Sequence, residues 1–249
     1  MKIQKKDGFE REFTYQWNAK WKEDDISKPI LKLTKSSLGS YDWCPKKYQF
    51  NYMEGKPQDT SEAMHNGTLV HNALEEFYNV FDIKKAETMD VAEVTEYCFS
   101  LFPIDNMSEM YETLSINEAQ RFMVAKEDKT LEMFLPVINE VCLNAQIVIN
   151  RADFPKFPLK RDYTVHLQGI IDRMFVDKTG YIPMELKTGA WKEYKKTSMR
   201  KEMAYYKLLF DNCPIEQLEA IGINRDLSIT HWGWRYPASN HIYVEEQKK

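Results

Sequence analysis

The 249-residue chain has little of several things that define whole protein classes. Its four cysteines, at positions 44, 98, 142 and 213, are scattered and form no C-x-x-C pair. That spacing excludes a disulfide framework and a local zinc knuckle, so reduced thiols are expected. Nine glycines and ten prolines are too few for a collagen-like or low-complexity chain. No apolar run approaches the roughly 18 residues of a membrane-spanning helix, and the segment from Met1 to Glu12 is charged where a signal peptide would be apolar. A soluble, cytoplasmic protein with no membrane partner is therefore expected. An excess of positive charge is missing too: 34 basic side chains stand against 38 acidic ones, a net charge of -4. Such an average argues against a nucleic-acid partner, because phosphate binding usually leaves a basic footprint.

What is present is a 43% hydrophobic content, enough for a sizeable core. No repeat or Gly/Ser-rich linker divides the chain, which reads as one domain over 1–249. Its parts are an N-terminal element (1–60), a helical region (61–150) and a sheet-bearing core (158–249). Residues 1–30 are charged and aromatic without a steady period and end at Lys28-Pro29, before a short strand at Leu31–Thr34. Ser36-Ser37 offers a helix start, and Cys44-Pro45 interrupts the helical turns that follow. Val70, Leu74, Phe77, Tyr78 and Phe81 mark one face of a helix over Ser61–Phe81. A second helical region is expected from Met107 to Gln146. Residues 84–140 carry twelve Asp/Glu against five Lys/Arg, the pattern of solvated helix faces.

After Pro158 the pattern changes to alternation and β-branching. Lys160–Gln168, Gly169–Val176 and Tyr181–Lys187 read as consecutive antiparallel strands, the last two joined by the turn Asp177-Lys178-Thr179-Gly180. Ser198–Phe210 returns to helix, and Ala220–Asn224 with Ser228–Trp234 add one or two strands. A symmetric turn at 177–180 places Val176 opposite Tyr181 and Asp172 opposite Glu185. Two like charges in that position destabilise a sheet unless something compensates. Lys187, two residues on, projects from the same face. A divalent cation is one sufficient compensation, and hard oxygen ligands of this kind suit Mg²⁺ or Mn²⁺. Lys187 would then orient water or stabilise charge developing on a phosphate. A cross-strand salt-bridge cluster on a wet sheet face fits the same spacing.

These residues carry a resemblance. Gly169-Ile-Ile-Asp172-Arg173 followed by Glu185-Leu-Lys187-Thr-Gly189 resembles the core of the PD-(D/E)XK nuclease superfamily, and in particular its RecB-type branch, which includes CRISPR-associated adaptation nucleases and viral exonucleases. Ser37-Leu-Gly-Ser-Tyr41-Asp-Trp-Cys44-Pro45-Lys-Lys-Tyr48 is similar to that branch's N-terminal element, Gly67-Thr-Leu-Val-His71 to its Gly-x-x-x-His helix, and Glu202-Met-Ala-Tyr-Tyr206 to its Gln-x-x-x-Tyr helix. The resemblance implies an α/β (α+β) fold with a restriction-endonuclease-like core, a central mixed sheet flanked by helices and a helical N-terminal half. It implies catalytic Asp172, Glu185 and Lys187, and a metal held by His71, Asp172, Glu185 and the backbone carbonyl of Leu186. Gly67, one turn before His71, would clear space for the histidine to approach the strands. Glu202 departs from the family's glutamine: an ionised carboxylate only accepts hydrogen bonds and would repel a phosphate. Some members of the branch hold an iron-sulfur cluster. Here Cys44 lacks three C-terminal companions, so no cluster is expected and Cys44 is read as a buried structural thiol.

The resemblance also reopens the question of charge. Residues 187–207 hold seven Lys/Arg against two Asp/Glu, with Trp191, Tyr194, Tyr205 and Tyr206 interleaved. Lys192, Lys195, Lys196, Arg200 and Lys201, together with Glu202 and Tyr206, form a candidate DNA-binding strip in which cations meet phosphates and rings stack on bases. The implied activity is Mg²⁺- or Mn²⁺-dependent DNA hydrolysis by an exonuclease acting on ends or single strands, in recombination, repair, phage replication or CRISPR adaptation. It would act with partner proteins of those processes, and a viral origin is within its scope. A structure- or site-specific endonuclease and a catalytically idle DNA-binding subunit are the alternatives.

Overall fold

The structure, a computed structural model, describes residues 30–56, 61–156 and 162–247. The charged stretch 1–29, the Lys28-Pro29 break and the strand start at Lys160 lie outside the described residues. A mixed sheet of six strands carries the fold: β1 (Ile30–Thr34), β2 (Ile138–Ile149), β3 (Tyr163–Val176), β4 (Tyr181–Leu186), β5 (His231–Tyr236) and β6 (His241–Glu246). The strand order is β1-β3-β4-β5-β6, with β2 also paired to β3. The flanking helices are α1 (Lys35–Trp43), α2 (Pro45–Tyr48), α3 (Glu62–Val80), α4 (Ile83–Ala86), α5 (Val91–Ser100), α6 (Ser108–Glu127), α7 (Lys196–Asn212) and α8 (Ile215–Glu219). No helix among the described residues is long and apolar enough to cross a membrane.

The chain divides into two compact units. The first comprises 1–59, 141–170 and 204–223. In it β1 runs parallel to the first half of β3, Ile30 to Thr34 against Thr164 to Gln168. Thr34 then caps α1 in a reciprocal box with Ser37, Ser37 N–H donating to Thr34 Oγ1 at 3.0 Å and Thr34 N–H to Ser37 Oγ at 2.9 Å. α1 stops at Cys44, and Pro45 opens α2, where its missing N–H costs nothing. Cys44 is half-buried instead of enclosed, because it serves as the hinge between two surface helices. The two strands expected over 160–168 and 169–176 are one continuous strand over the described residues, β3 (Tyr163–Val176). Gly169 lets that strand pass under Tyr205 and Leu209, whose side chains would lie only 3.2 and 3.1 Å from an added Cβ.

The second unit comprises 60–140, 171–203 and 224–249. Ser61 caps α3, which buries Val70, Ala73, Leu74, Phe77 and Tyr78 at helical spacing. α6 buries Tyr111, Leu114, Ser115, Glu118, Ala119 and Phe122 in the same way. Aromatic rings fill the space between them: Phe77 stacks on Phe102 at 5.1 Å and Phe102 on Tyr111 at 5.0 Å. Helix does not persist to Gln146, because α6 ends at Glu127 and β2 begins at Ile138. The β-branched Ile147, Val148 and Ile149 are the sequence's own sign of that change. β3 turns back into β4 with Arg173 opposite Met184 and Val176 opposite Tyr181. Asp177 Oδ1 accepts from Thr179 and Gly180 N–H in that turn, and Gly180 takes φ +153°, where a Cβ would strike the Ser228 carbonyl. β4 is parallel to β5, which is antiparallel to β6. Residues 220–222 form a turn after α8, 223–224 belong to no strand, and the last strand among the described residues is β6.

Candidate active site

Within the second unit, α3, β2 and α7 each bring a side chain to the β3–β4 hairpin. Continuing the Arg173–Met184 register by one step sets Asp172 opposite Glu185, as a symmetric turn requires. Asp172 Oδ2 accepts the Leu186 N–H at 2.9 Å, a bond that fixes its carboxylate in a buried position. His71, on α3, reaches the same point. Its Nδ1 lies 3.1 Å from Glu140 Oε1 and 3.7 Å from Asp172 Oδ2, and its Nε2 lies 3.1 Å from the Leu186 carbonyl. Glu140 arrives from β2 with φ +53°, a left-handed conformation that costs a non-glycine residue about 1 to 3 kcal/mol. Arg173, wholly buried, donates from Nη2 to the His71 carbonyl at 3.1 Å and lies 3.7 Å from Glu140. Burial pulls the His71 imidazole down, but Asp172 and Glu140 outweigh it and raise its pKa.

The ligand atoms of His71, Glu140 and Asp172 all lie within 4.8 Å of one another. Octahedral coordination with bonds of about 2.1 Å separates neighbouring ligands by about 3 Å and opposite ones by about 4 Å. The His71–Glu140 and His71–Asp172 spacings fall in that range, so one imidazole and two carboxylates fit a hard divalent cation. The two other expected ligands are engaged differently. Glu185 Oε1 accepts from Lys187 Nζ at 2.6 Å, and the Leu186 carbonyl faces the His71 nitrogen opposite the carboxylates. Lys187 also meets Glu202 Oε2 at 3.0 Å. Burial opposes its charge, but Glu185 and Glu202 outweigh that and hold the ammonium well above the usual lysine range. Lys187 is therefore a cation in this arrangement and cannot accept a proton.

Other sequence-predicted positions have different surroundings. An added Cβ at Gly67 would sit 3.5 Å from Thr188 Oγ1, an ordinary contact, so no close approach demands glycine there. Glu202 is not answered by Arg200, which pairs through two nitrogens with Glu245. Lys195 donates to the Ala190 carbonyl at 2.5 Å, Lys196 lies 4.4 Å over the Tyr243 ring, and Lys192 and Lys201 are exposed. The strip's aromatics do not form a base-stacking surface. Tyr205 and Tyr206 are core residues of the first unit, where Tyr206 Oη accepts from Lys35 Nζ at 2.7 Å. Trp191 stacks on His241 at 4.3 Å, and of the four rings Tyr194 alone is open to solvent. Exposed rings lie instead on α1 in the first unit, where Trp43 and Tyr41 are 76% and 56% exposed. Lys47 is 5.2 Å from the Trp43 ring, and both line an open cleft of about 280 Å³ with Ser36, Gly39, Ser40, Asn51 and Tyr52.

Glu140 and Arg173 escaped the sequence reading. Glu140 is the last of the twelve acids in the 84–140 run, whose composition reads as solvated helix faces. Its signal was the strand-like Val141-Cys142-Leu143 that follows it.

A mixed sheet bearing opposed carboxylates, a lysine and a histidine-carboxylate cluster defines a candidate metal-dependent hydrolase site. The family model of the PD-(D/E)XK nuclease superfamily matches residues 32–220, a span that takes in every one of these groups. The chain belongs to that superfamily, whose chemistry is metal-dependent phosphodiester hydrolysis. No curated protein matches the chain.

Proposed function

We propose that the protein is a deoxyribonuclease of the RecB-type branch, using Mg²⁺ or Mn²⁺ to hydrolyse DNA from ends or in single-stranded form. The observation that carries this reading is the convergence of His71, Glu140 and Asp172 beside the Glu185–Lys187 pair on one hairpin. The ion, when bound, supplies Lewis-acid polarisation of water and phosphate. The chain's own groups do the rest. Asp172 is oriented by the Leu186 N–H, and the Leu186 carbonyl fixes the His71 ring so that Nδ1 faces the carboxylates. Glu185 would add a further carboxylate to a set of His71, Glu140 and Asp172, while the Leu186 carbonyl, bonded to His71 Nε2, serves to orient the ring. Lys187 would stabilise negative charge developing on the phosphate. The exposed Trp43 and Tyr41 with Lys46 and Lys47 suit unpaired bases and their phosphates, which supports a single-stranded substrate. Recombination, repair, phage replication and CRISPR adaptation are the settings in which such an activity serves.

End-labelled single-stranded, linear duplex and closed circular DNA, incubated with Mg²⁺ or Mn²⁺, test the reading. Cleavage of the linear forms alone is expected, with Lys187→Ala slowing it by about 10² to 10³. Cleavage of the circle would make the enzyme an endonuclease. Absence of metal-dependent cleavage on all three would leave an idle DNA-binding subunit.

A further inference from the structure

Lys187 has more negative charge around it than its own charge requires. Its ammonium lies 2.6 Å from Glu185 Oε1 and 3.0 Å from Glu202 Oε2, and its side chain is only a third exposed. Glu202 comes from the first turns of α7, the position at which the resembled branch carries glutamine. Asp172, which belongs to the His71, Glu140 and Asp172 cluster, stands opposite Glu185 when the hairpin register is continued by one step, so a cation bound at the cluster would compete with Lys187 for the Glu185 carboxylate. Without a second acceptor, losing Glu185 would strand an ammonium in a poorly hydrated place, a costly outcome. Glu202 is already in contact with it.

We propose that Glu202 is a positioning residue that takes over Lys187 when Glu185 turns to the divalent ion, coupling metal occupancy to the placement of the lysine. This rests on the metal-dependent reading above. Glutamine at 202 keeps a carbonyl acceptor for Lys187 but removes the charge that holds it, so Lys187 competes more strongly with the cation for Glu185. Glu202 thereby lowers the cation concentration needed to assemble the site.

Calorimetric Mn²⁺ titration of the full chain tests this, with folding of each variant checked by thermal unfolding. Glu202→Gln is expected to weaken Mn²⁺ binding about five- to tenfold, the size of coupling usual for groups in direct contact. In a Lys187→Met background the same substitution is expected to change binding less than about twofold, because nothing remains to be handed over. An equal shift in both backgrounds would reduce Glu202 to one more distant charge and overturn the proposal, as would no shift with Lys187 present. A wild-type chain that binds no Mn²⁺ would overturn the metal-dependent reading and this inference together. Normal wild-type binding that Glu202→Gln leaves unchanged would strike only the handover.

Discussion

Two of the ion clusters of the second unit are built on opposite principles. One is closed: Glu118, fully buried on α6, accepts from Arg235 Nη1 at 2.6 Å and from Arg121 Nε and Nη2 at 3.1 and 2.7 Å. The remaining Arg121 nitrogen donates to the Phe134 carbonyl at 2.6 Å, and its guanidinium lies 4.0 Å over the Phe134 ring. The other cluster is open in its pairing: Lys187 is shared between Glu185 and Glu202, while His71 divides its two nitrogens between Glu140 and the Leu186 carbonyl. The two touch through the backbone, because Lys187 N–H donates to the carbonyl of Arg235. A closed network has one arrangement and holds strands and helices in register. An open one has a surplus of acceptors and so has somewhere to move when a cation arrives. The difference separates charges kept for the fold from charges kept for chemistry.

The largest expected effect comes from breaking the closed cluster. Glu118→Ala leaves Arg235 buried without its partner and should destabilise the protein by about 3 to 5 kcal/mol, read by denaturant unfolding. If instead it costs no more than Glu140→Gln, the contrast between the clusters fails. The same carboxylate gives a pH signature. Burial opposes its ionisation, but Arg121 and Arg235 outweigh burial and bring Glu118 down to about 2. A folded pKa below the unfolded one means that the stabilisation is complete above roughly pH 4.5 and drains away as pH falls towards 2, by on the order of 3 kcal/mol. Unfolding midpoints measured from pH 7 to pH 2 should show that decline in the wild type and little of it in Glu118→Gln. The smallest effect on stability is expected at Glu140. Glu140→Gln keeps an acceptor for His71 and relieves crowding near Asp172, but removes a charge 3.7 Å from the buried Arg173, and should cost about 1 kcal/mol of stability while weakening Mn²⁺ binding by roughly tenfold. Unchanged Mn²⁺ affinity in that variant would remove Glu140 from the candidate metal set.

Local patterns made much of this legible before any tertiary information. The periodicity of Val70, Leu74, Phe77 and Tyr78 marks α3, because a helix face repeats on its own. The Asp177–Gly180 turn sets the pairing of β3 with β4, because a tight turn fixes register. Glu140 was obscured by composition: an acid at the end of an acidic run looks solvated until a strand turns it inward. The rings of the strip at 187–207 are placed by the opposite circumstance. The strip's charge count is correct, but alternation of charge and ring on a helix records which side is buried. Tyr205 and Tyr206 face the core of the first unit while Arg200 is spent on Glu245.

The sequence by itself determined the hairpin, the opposition of Asp172 and Glu185, and the presence of Lys187 on their face, all consequences of two-residue strand alternation and one turn. It also carried enough of the superfamily's pattern to be matched over residues 32–220. Only the tertiary structure decided which groups complete the site. His71, Glu140, Arg173 and Glu202 are separated along the chain by tens of residues, and no local period encodes their meeting. That Glu202 sits on the lysine while Glu118 and Arg235 close on each other follows from where α7, α6 and β5 pack, because side-chain charges take the partners that burial leaves within reach.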